Sequence, residues 1–402
     1  MPKLPHDDEI WDEPAARPNG HAGVEPIIID AGEDDGAIPP RGWLQGTTFC
    51  RAYISALTGA GAAGKTAIRY LQYLAQATGQ PFAGEHVHAR CPVLIVCLED
   101  GIDEVRRRIR ALRMHYRIPA DELKGWLFYW APSGHKLMET DPRGQRVLGN
   151  LEGELRDLIH RRAIGLVGID PFIKAHGCDE NDNNAVDAVC IVLSKIATEL
   201  DCGVDLLQHH RKGALSPGDA DSGRGASALK DAARLVRTAT PMTEDEAETF
   251  GISADERAGL VRLDDAKINL APRATTARWF RLVGVPLGNG TVDYPRGDTV
   301  QAAEPWTPPE LWSGVGTATF NAILDEIDAG LPGGRLFSNQ GPAAERAAWR
   351  IIVKHINRTE AQAREIIRTW LKNGVLTIAD YRDEADRKDR KGLRVNPVKP
   401  PG

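Results

Sequence analysis

Five apolar runs of strand length punctuate the first half of the chain, at residues 53–57, 91–98, 126–131, 164–169 and 202–207. Between them, apolar side chains recur at helical spacing, as in Ile68, Leu71 and Leu74, and again in Val105, Ile109 and Leu112. Residues 145–162 and the segment ending near Leu200 predict two more amphipathic helices. Apolar runs without polar alternation belong to strands buried on both faces, the situation of a parallel sheet covered by helices. The pattern therefore predicts an α/β fold with a mostly parallel sheet. Residues 259–283 add two or three closing strands, broken by the turn Ala271-Pro272-Arg273.

From residue 316 the helical period returns. Phe320, Ile323, Leu324 and Ile327 mark one helix, and residues 344–356 a second. Thr359-Glu360-Ala361-Gln362 is a capping box that opens a third, with Ile366, Ile367, Trp370 and Leu371 as its buried face. A strand starts at Gly374-Val375-Leu376, Arg387-Lys388-Asp389-Arg390-Lys391 makes a basic tip, and Gly392-Leu393-Arg394-Val395 returns. Three helices and a hairpin predict a small C-terminal winged-helix domain, which meets duplex DNA through its third helix and wing or docks a protein. Four regions follow: a disordered acidic tail at 1–36, the α/β domain at 37–285, a linker rich in Gly, Pro and Thr at 286–315, and the winged-helix-like domain at 316–402.

Charge sharpens this division. The net charge is −6, but residues 1–36 hold ten acidic side chains against two basic ones, whereas the last sixty residues are net basic. A whole-chain average therefore does not exclude nucleic acid, because local charge governs contact. No apolar run approaches a membrane span, the polar N-terminus is no signal peptide, and the six cysteines form no C-x-x-C pair. A reduced, cytoplasmic protein without a zinc site or membrane contact is expected.

The candidate chemistry sits where the strands end. Gly59-Ala60-Gly61-Ala62-Ala63-Gly64-Lys65-Thr66 fits G-x-x-x-x-G-K-[ST], between a strand and a helix. In such a loop the backbone N–H groups around Gly59, Gly61, Ala62, Ala63 and Gly64 cradle phosphates. Lys65 reaches the β- and γ-phosphates, and Thr66 offers its hydroxyl to Mg²⁺. The second run ends in Glu99-Asp100. A carboxylate beyond the carboxyl end of a parallel strand is placed to activate the attacking water, and Glu99 is the candidate; an N-cap for the next helix is the structural alternative. The fourth run ends in Asp170, a Walker B pattern that holds Mg²⁺. Gln208, His209 or His210 follows the fifth, suited to sensing the γ-phosphate. Arg224 closes a loop rich in Gly, Ser, Pro and Asp, as an arginine finger does. The six arginines between 104 and 117 read mostly as a solvated helix face, with subunit or nucleic-acid contact as the alternative. Trp43 reads as a nucleotide lid or a packed aromatic.

Taken together these residues resemble the RecA-fold ATPases of the RepA type, hexameric replicative helicases of plasmids and mobile elements within the AAA class. The resemblance spans about 38–285. It is carried by the P-loop, Leu98-Glu99-Asp100, Ile169-Asp170-Pro171, Glu180-Asn181-Asp182-Asn183, Gln208-His209-His210-Arg211-Lys212-Gly213 and Arg224-Gly225-Ala226-Ser227-Ala228-Leu229. It implies a RecA-like P-loop NTPase that binds ATP and Mg²⁺ and assembles as a homo-hexamer on single-stranded DNA. Glu99 would be its catalytic carboxylate, Asp170 its Walker B acid, His209 its phosphate-facing histidine and Arg224 its finger toward the neighbouring subunit. Two positions depart from the family. Gln208 replaces the first of two histidines. Asn269 stands where related helicases have arginine, which leaves Lys267 as a secondary finger. The winged helix is an addition to the minimal helicase. The expected function is an ATP-driven DNA helicase or translocase in replication of a plasmid or mobile element. A DNA-binding ATPase regulator and a RecA-like recombination or signalling ATPase are the alternatives.

Overall fold

The apolar runs become adjacent strands of one sheet. In the computed structural model, which describes residues 29–32, 34–178, 182–210, 218, 226–311, 315–340, 344–384 and 387–397, a hairpin of Trp43–Gln45 (β1) and Phe49–Cys50 (β2) leads into Ile54–Ala60 (β3). Lys65–Thr78 (α1), Val93–Cys97 (β4), Ile102–Tyr116 (α2) and Leu127–Trp130 (β5) follow. A second hairpin, Met138–Thr140 (β6) and Arg146–Leu148 (β7), precedes Asn150–Arg162 (α3), Leu166–Asp170 (β8), Asn183–Glu199 (α4), Gly203–His210 (β9), Ala226–Ala232 (α5) and Leu235–Pro241 (β10). Then come Glu244–Phe250 (α6), Ala254–Arg257 (α7), Leu260–Ile268 (β11), Arg278–Pro286 (β12) and Thr299–Trp306 (β13). The C-terminal elements are Thr317–Ala329 (α8), Trp349–His355 (α9), Glu360–Lys372 (α10), Leu376–Arg382 (β14) and Asp389–Val395 (β15). Residues 29–40, where described, carry no helix or strand. The rest of the acidic tail lies outside the described residues.

Nine strands pair in the order β13-β12-β11-β10-β3-β9-β8-β4-β5. The six from β10 to β5 are parallel, and β11, β12 and β13 extend the sheet antiparallel. This is the expected α/β fold with a large, mostly parallel sheet. Side-chain alternation explains the unbroken apolar runs. Val93, Ile95 and Cys97 of β4 pack with α1 and α2, whereas Leu94 and Val96 pack with α3 and α4 on the other face. Every residue of β4 therefore meets helix.

The expected linker at 286–315 is corrected by β13. Residues 299–306 pair with β12 from Pro286↔Thr299 to Trp279↔Trp306. Gly288, Gly290, Gly297 and Pro295, part of the composition that suggested a linker, belong to the β12–β13 connection. The strand hides its nature because its buried side chains are only Ala302 and Ala303, small enough for α1 and α2 to lie against it. It also carries Pro305, which an edge strand tolerates.

One buried charge holds α1 on the sheet. Asp205 of β9 is fully buried and pairs with Arg69 Nε at 3.0 Å. It also accepts hydrogen bonds from Ser55 Oγ and Tyr73 Oη, both at 2.7 Å. Tyr73 reaches it across β8, where a Cβ on Gly168 would lie 2.3 Å from the phenol ring, so only glycine fits.

The C-terminal elements have their own core of Ile323, Ile327, Ile352, Ile366, Ile367, Trp370 and Leu393. The Thr359 capping box forms, with Gln362 at its third position. The second helix is shorter than expected, ending its described α-helical turn at His355. β14 and β15 pair antiparallel throughout, from Leu376↔Val395 to Arg382↔Asp389. Gln362 of α10 lies beside Gly251, so this part packs against the end of α6. Among the described residues no helix is long and apolar enough to cross a membrane.

Removing the Asp205 carboxylate strands the buried Arg69. Asp205→Ala is expected to lose about 3–5 kcal/mol of stability in urea denaturation.

Candidate active site

The P-loop spans the gap between β3 and α1. Gly64 caps the helix at φ 76°, in the left-handed region, and Ala62 sits there too, at φ 60°. These turns leave the first N–H groups of α1 facing outward, with no side-chain cap on the helix. Gly59 is the sixth residue of β3 and contributes its carbonyl rather than a cradle N–H. A Cβ on Gly61 would meet nothing within 4 Å. Lys65 is buried, and its Nζ donates to the carbonyls of Gly59 at 2.8 Å and Ala60 at 2.6 Å. Burial pulls its pKa down to about 8, against the attraction of Asp170. Among the described residues, the ammonium is hydrogen-bonded under the loop by two neutral carbonyl oxygens.

The carboxylates converge from the adjoining strands. Cys97 and Asp170 are register partners at the ends of β4 and β8, and Leu98 N–H donates to the Asp170 carbonyl at 2.8 Å. Asp170 is 6 % exposed, and burial pushes its pKa up to about 6. The Thr66 hydroxyl, Arg108 and Lys65 act in the opposite direction. Glu99 lies just past β4 and is exposed to the cavity. Asp100, beside it, is paired with Arg108 at 2.8 Å. The N-cap of α2 is Gly101, so Glu99 is not spent on capping.

On the other side of the loop, β9 runs parallel to β3 and sets His209 opposite Gly59. His209 lines the cavity, and burial together with the nearby Lys65 lowers its pKa. Gln208 does not line it. Its side chain is buried, and its Oε1 has no hydrogen-bond partner among the described residues. The side chain of His210 is not described. Of the three alternatives, His209 is the one the structure brings to the loop.

These groups share one cavity of about 670 Å³, lined by Ala62 to Ala67, Glu99, Asp170 and His209. Three further contributions were not legible in the sequence. Arg107 and Arg108, assigned to a solvated face, line the same cavity, as does the segment 298–301 at the start of β13. The arginine periodicity gave no sign of which turn of α2 faces inward, and 298–301 lay within the supposed linker. Trp43 belongs to β1 and does not line the cavity. Lys267 Nζ is bound to the carbonyls of Lys230 at 2.7 Å and Asp231 at 2.9 Å, where it caps α5. Arg224, Glu180, Asn181 and the 211–213 segment lie outside the described residues.

Thr66 and Asp170 fit a magnesium ion. They are hard oxygen donors on the wall of one cavity, and no ion pair among the described residues neutralises Asp170. Magnesium is held by one or two protein oxygens with phosphate and water oxygens completing its shell. Among the described residues no group of three or more His, Cys, Asp or Glu forms a separate metal site.

A family model described as an AAA domain matches residues 24–214. That span holds the P-loop, Glu99, Asp170 and His209, and the match supports a nucleotide-binding ATPase. It stops before β10 and therefore before the 298–301 wall.

The Asp170 shift has a measurable sign. Its folded pKa is raised from 3.8 to about 6, so the charged form opposes folding above that range and the opposition disappears below it. Asp170→Asn is expected to gain ~1–3 kcal/mol in urea denaturation at pH 7, about half as much near pH 5, and nothing near pH 3. Hydrolysis of ATP by the same variant should be lost.

Proposed function

We propose that this chain is a ring-forming ATPase of the RepA helicase type that moves along single-stranded DNA. The observation that carries the ATPase part is the convergence of Lys65, Thr66, Glu99, Asp170 and His209 on one cavity, at the carboxyl ends of β3, β4, β8 and β9. Open parallel sheets bind ligands there. ATP is the substrate. Lys65 gives up the Gly59 and Ala60 carbonyls for phosphate oxygens, and the N–H groups of the loop and of the first turn of α1 hold the rest of the chain of phosphates. Thr66 and Asp170 would hold Mg²⁺, which would supply charge neutralisation on the phosphates. Glu99 accepts a proton from the water that attacks the γ-phosphorus. His209 stands beside Lys65 and responds to loss of the γ-phosphate. Arg224 of a neighbouring subunit serves as the finger in a homo-hexamer.

The nucleic-acid part rests on the resemblance and on charge. We assign the C-terminal elements to a winged-helix domain for duplex DNA. Arg368 and Lys372 of α10 and Arg382, Arg387, Lys388, Lys391 and Arg394 of the hairpin are exposed. A cationic face of this kind makes binding fall with salt.

The test is ATP hydrolysis by the full chain with and without single-stranded DNA, with Lys65→Ala as the blank. Several-fold stimulation that weakens with salt is expected. Arg224→Ala should lose about 10³-fold in rate and recover part of it when mixed with Lys65→Ala, which still carries the finger. Hydrolysis indifferent to DNA would overturn the translocase. Tight duplex binding alongside it would favour a DNA-binding regulator.

A further inference from the structure

The phosphate end of the cavity is accounted for by the loop and the carboxylates, but the wall made by β13 is not. Among the described residues β13 is the last strand of the sheet, so no strand pairs with one of its edges. In an antiparallel pair, alternate residues turn their N–H and C=O groups toward the partner strand and away from it. Leu287 N–H donates to the Asp298 carbonyl at 2.9 Å, and the register continues through Val285↔Val300. Val300 therefore faces β12, whereas Thr299, Gln301, Ala303 and Pro305 turn their main-chain groups to the open edge. Two observations agree. Tyr116 Oη donates to the Ala303 carbonyl at 2.9 Å from outside the sheet. Pro305, which has no N–H, stands at an outward position.

Beyond those two, the outward main-chain groups are those of Thr299 and Gln301, and both residues line the cavity. Their wall is fixed in advance. Asp298 N–H donates to Asn289 Oδ1 at 2.8 Å, and the Asp298 carboxylate holds Asn289 Nδ2 at 2.7 Å and Arg107 Nε at 3.0 Å. Val300 adds an apolar side chain to the same wall. A strand edge offers donors and acceptors side by side, and a guanidinium offers a planar cationic face for stacking. A nucleobase presents the complement: a donor and acceptor edge and a π face.

We propose that the open edge of β13 is the nucleobase subsite of this cavity, with the Thr299 and Gln301 main chain pairing with the base edge and Arg107 held by Asp298 against the ring. This rests on reading the cavity as a triphosphate site, and the test separates the two. Binding of ATP and of inorganic tripolyphosphate to the full chain is measured by competition calorimetry. Wild type should bind ATP more tightly than tripolyphosphate. Thr299→Pro and Gln301→Pro each delete one outward N–H that the β12 ladder does not use. Each should weaken ATP by roughly 3- to 10-fold and leave tripolyphosphate unchanged. Arg107→Ala should likewise weaken ATP alone. Equal affinity of wild type for both ligands overturns the subsite. So does unchanged ATP binding by the proline variants, or equal loss of both ligands, which would make the edge structural or place Arg107 on the phosphates. Lys65→Ala should weaken both ligands; if it weakens neither, the triphosphate reading fails instead.

Discussion

The position of α1 is fixed by a carboxylate that never meets water. Asp205 joins Arg69 and Tyr73 of that helix to Ser55 of β3 from its own place on β9. A buried ion pair gives little net stability against an apolar replacement, but once built it penalises every arrangement that separates its members. Here it locks the helix to the two strands that flank the loop. The P-loop can then adopt left-handed residues at Ala62 and Gly64 without the helix start drifting from the end of β3. Register does the rest. Parallel pairing of β3 with β9 and of β4 with β8 brings His209 and Asp170 to the same end of the sheet as Lys65.

That placement creates a site whose own charges are unfavourable. Lys65 is held below its ordinary pKa and Asp170 above, both by burial. Among the described residues neither has a counter-charge in salt-bridge contact. A polyanion carrying a divalent cation supplies both at once, a negative partner for Lys65 and a positive one for Asp170. The strained charges thus favour the loaded state over the empty one, which is the sense in which an active site is organised before its ligand arrives. Two salt bridges, Arg108 with Asp100 and Arg107 with Asp298, keep the cavity wall in place.

The placement of the candidate site residues on one cavity was more legible than architecture at the edges. A P-loop is a local motif, and the carboxylates that end apolar runs are placed by strand direction alone, so Lys65, Thr66, Glu99 and Asp170 could be read in one dimension. β13 could not. Its identity as a strand depends on α1 and α2 accepting two alanines, and on an edge position that forgives Pro305, both tertiary facts. The inward turn of α2 was hidden for a related reason. Arg107 and Arg108 look like their exposed neighbours until their partners Asp298 and Asp100 are in place. Lys267 reads as a secondary finger in sequence and becomes a cap once α5 ends beside it.

The central claim is that binding and hydrolysis are divided between Lys65 and Glu99 in one cavity. It is tested most directly by measuring Mg·ATP affinity and single-turnover hydrolysis side by side for wild type, Lys65→Ala and Glu99→Gln. Glu99→Gln is expected to bind Mg·ATP about as tightly as wild type and hydrolyse it roughly 10²- to 10⁴-fold more slowly, whereas Lys65→Ala loses the binding itself. Hydrolysis at the wild-type rate by Glu99→Gln, or undiminished binding by Lys65→Ala, would contradict it.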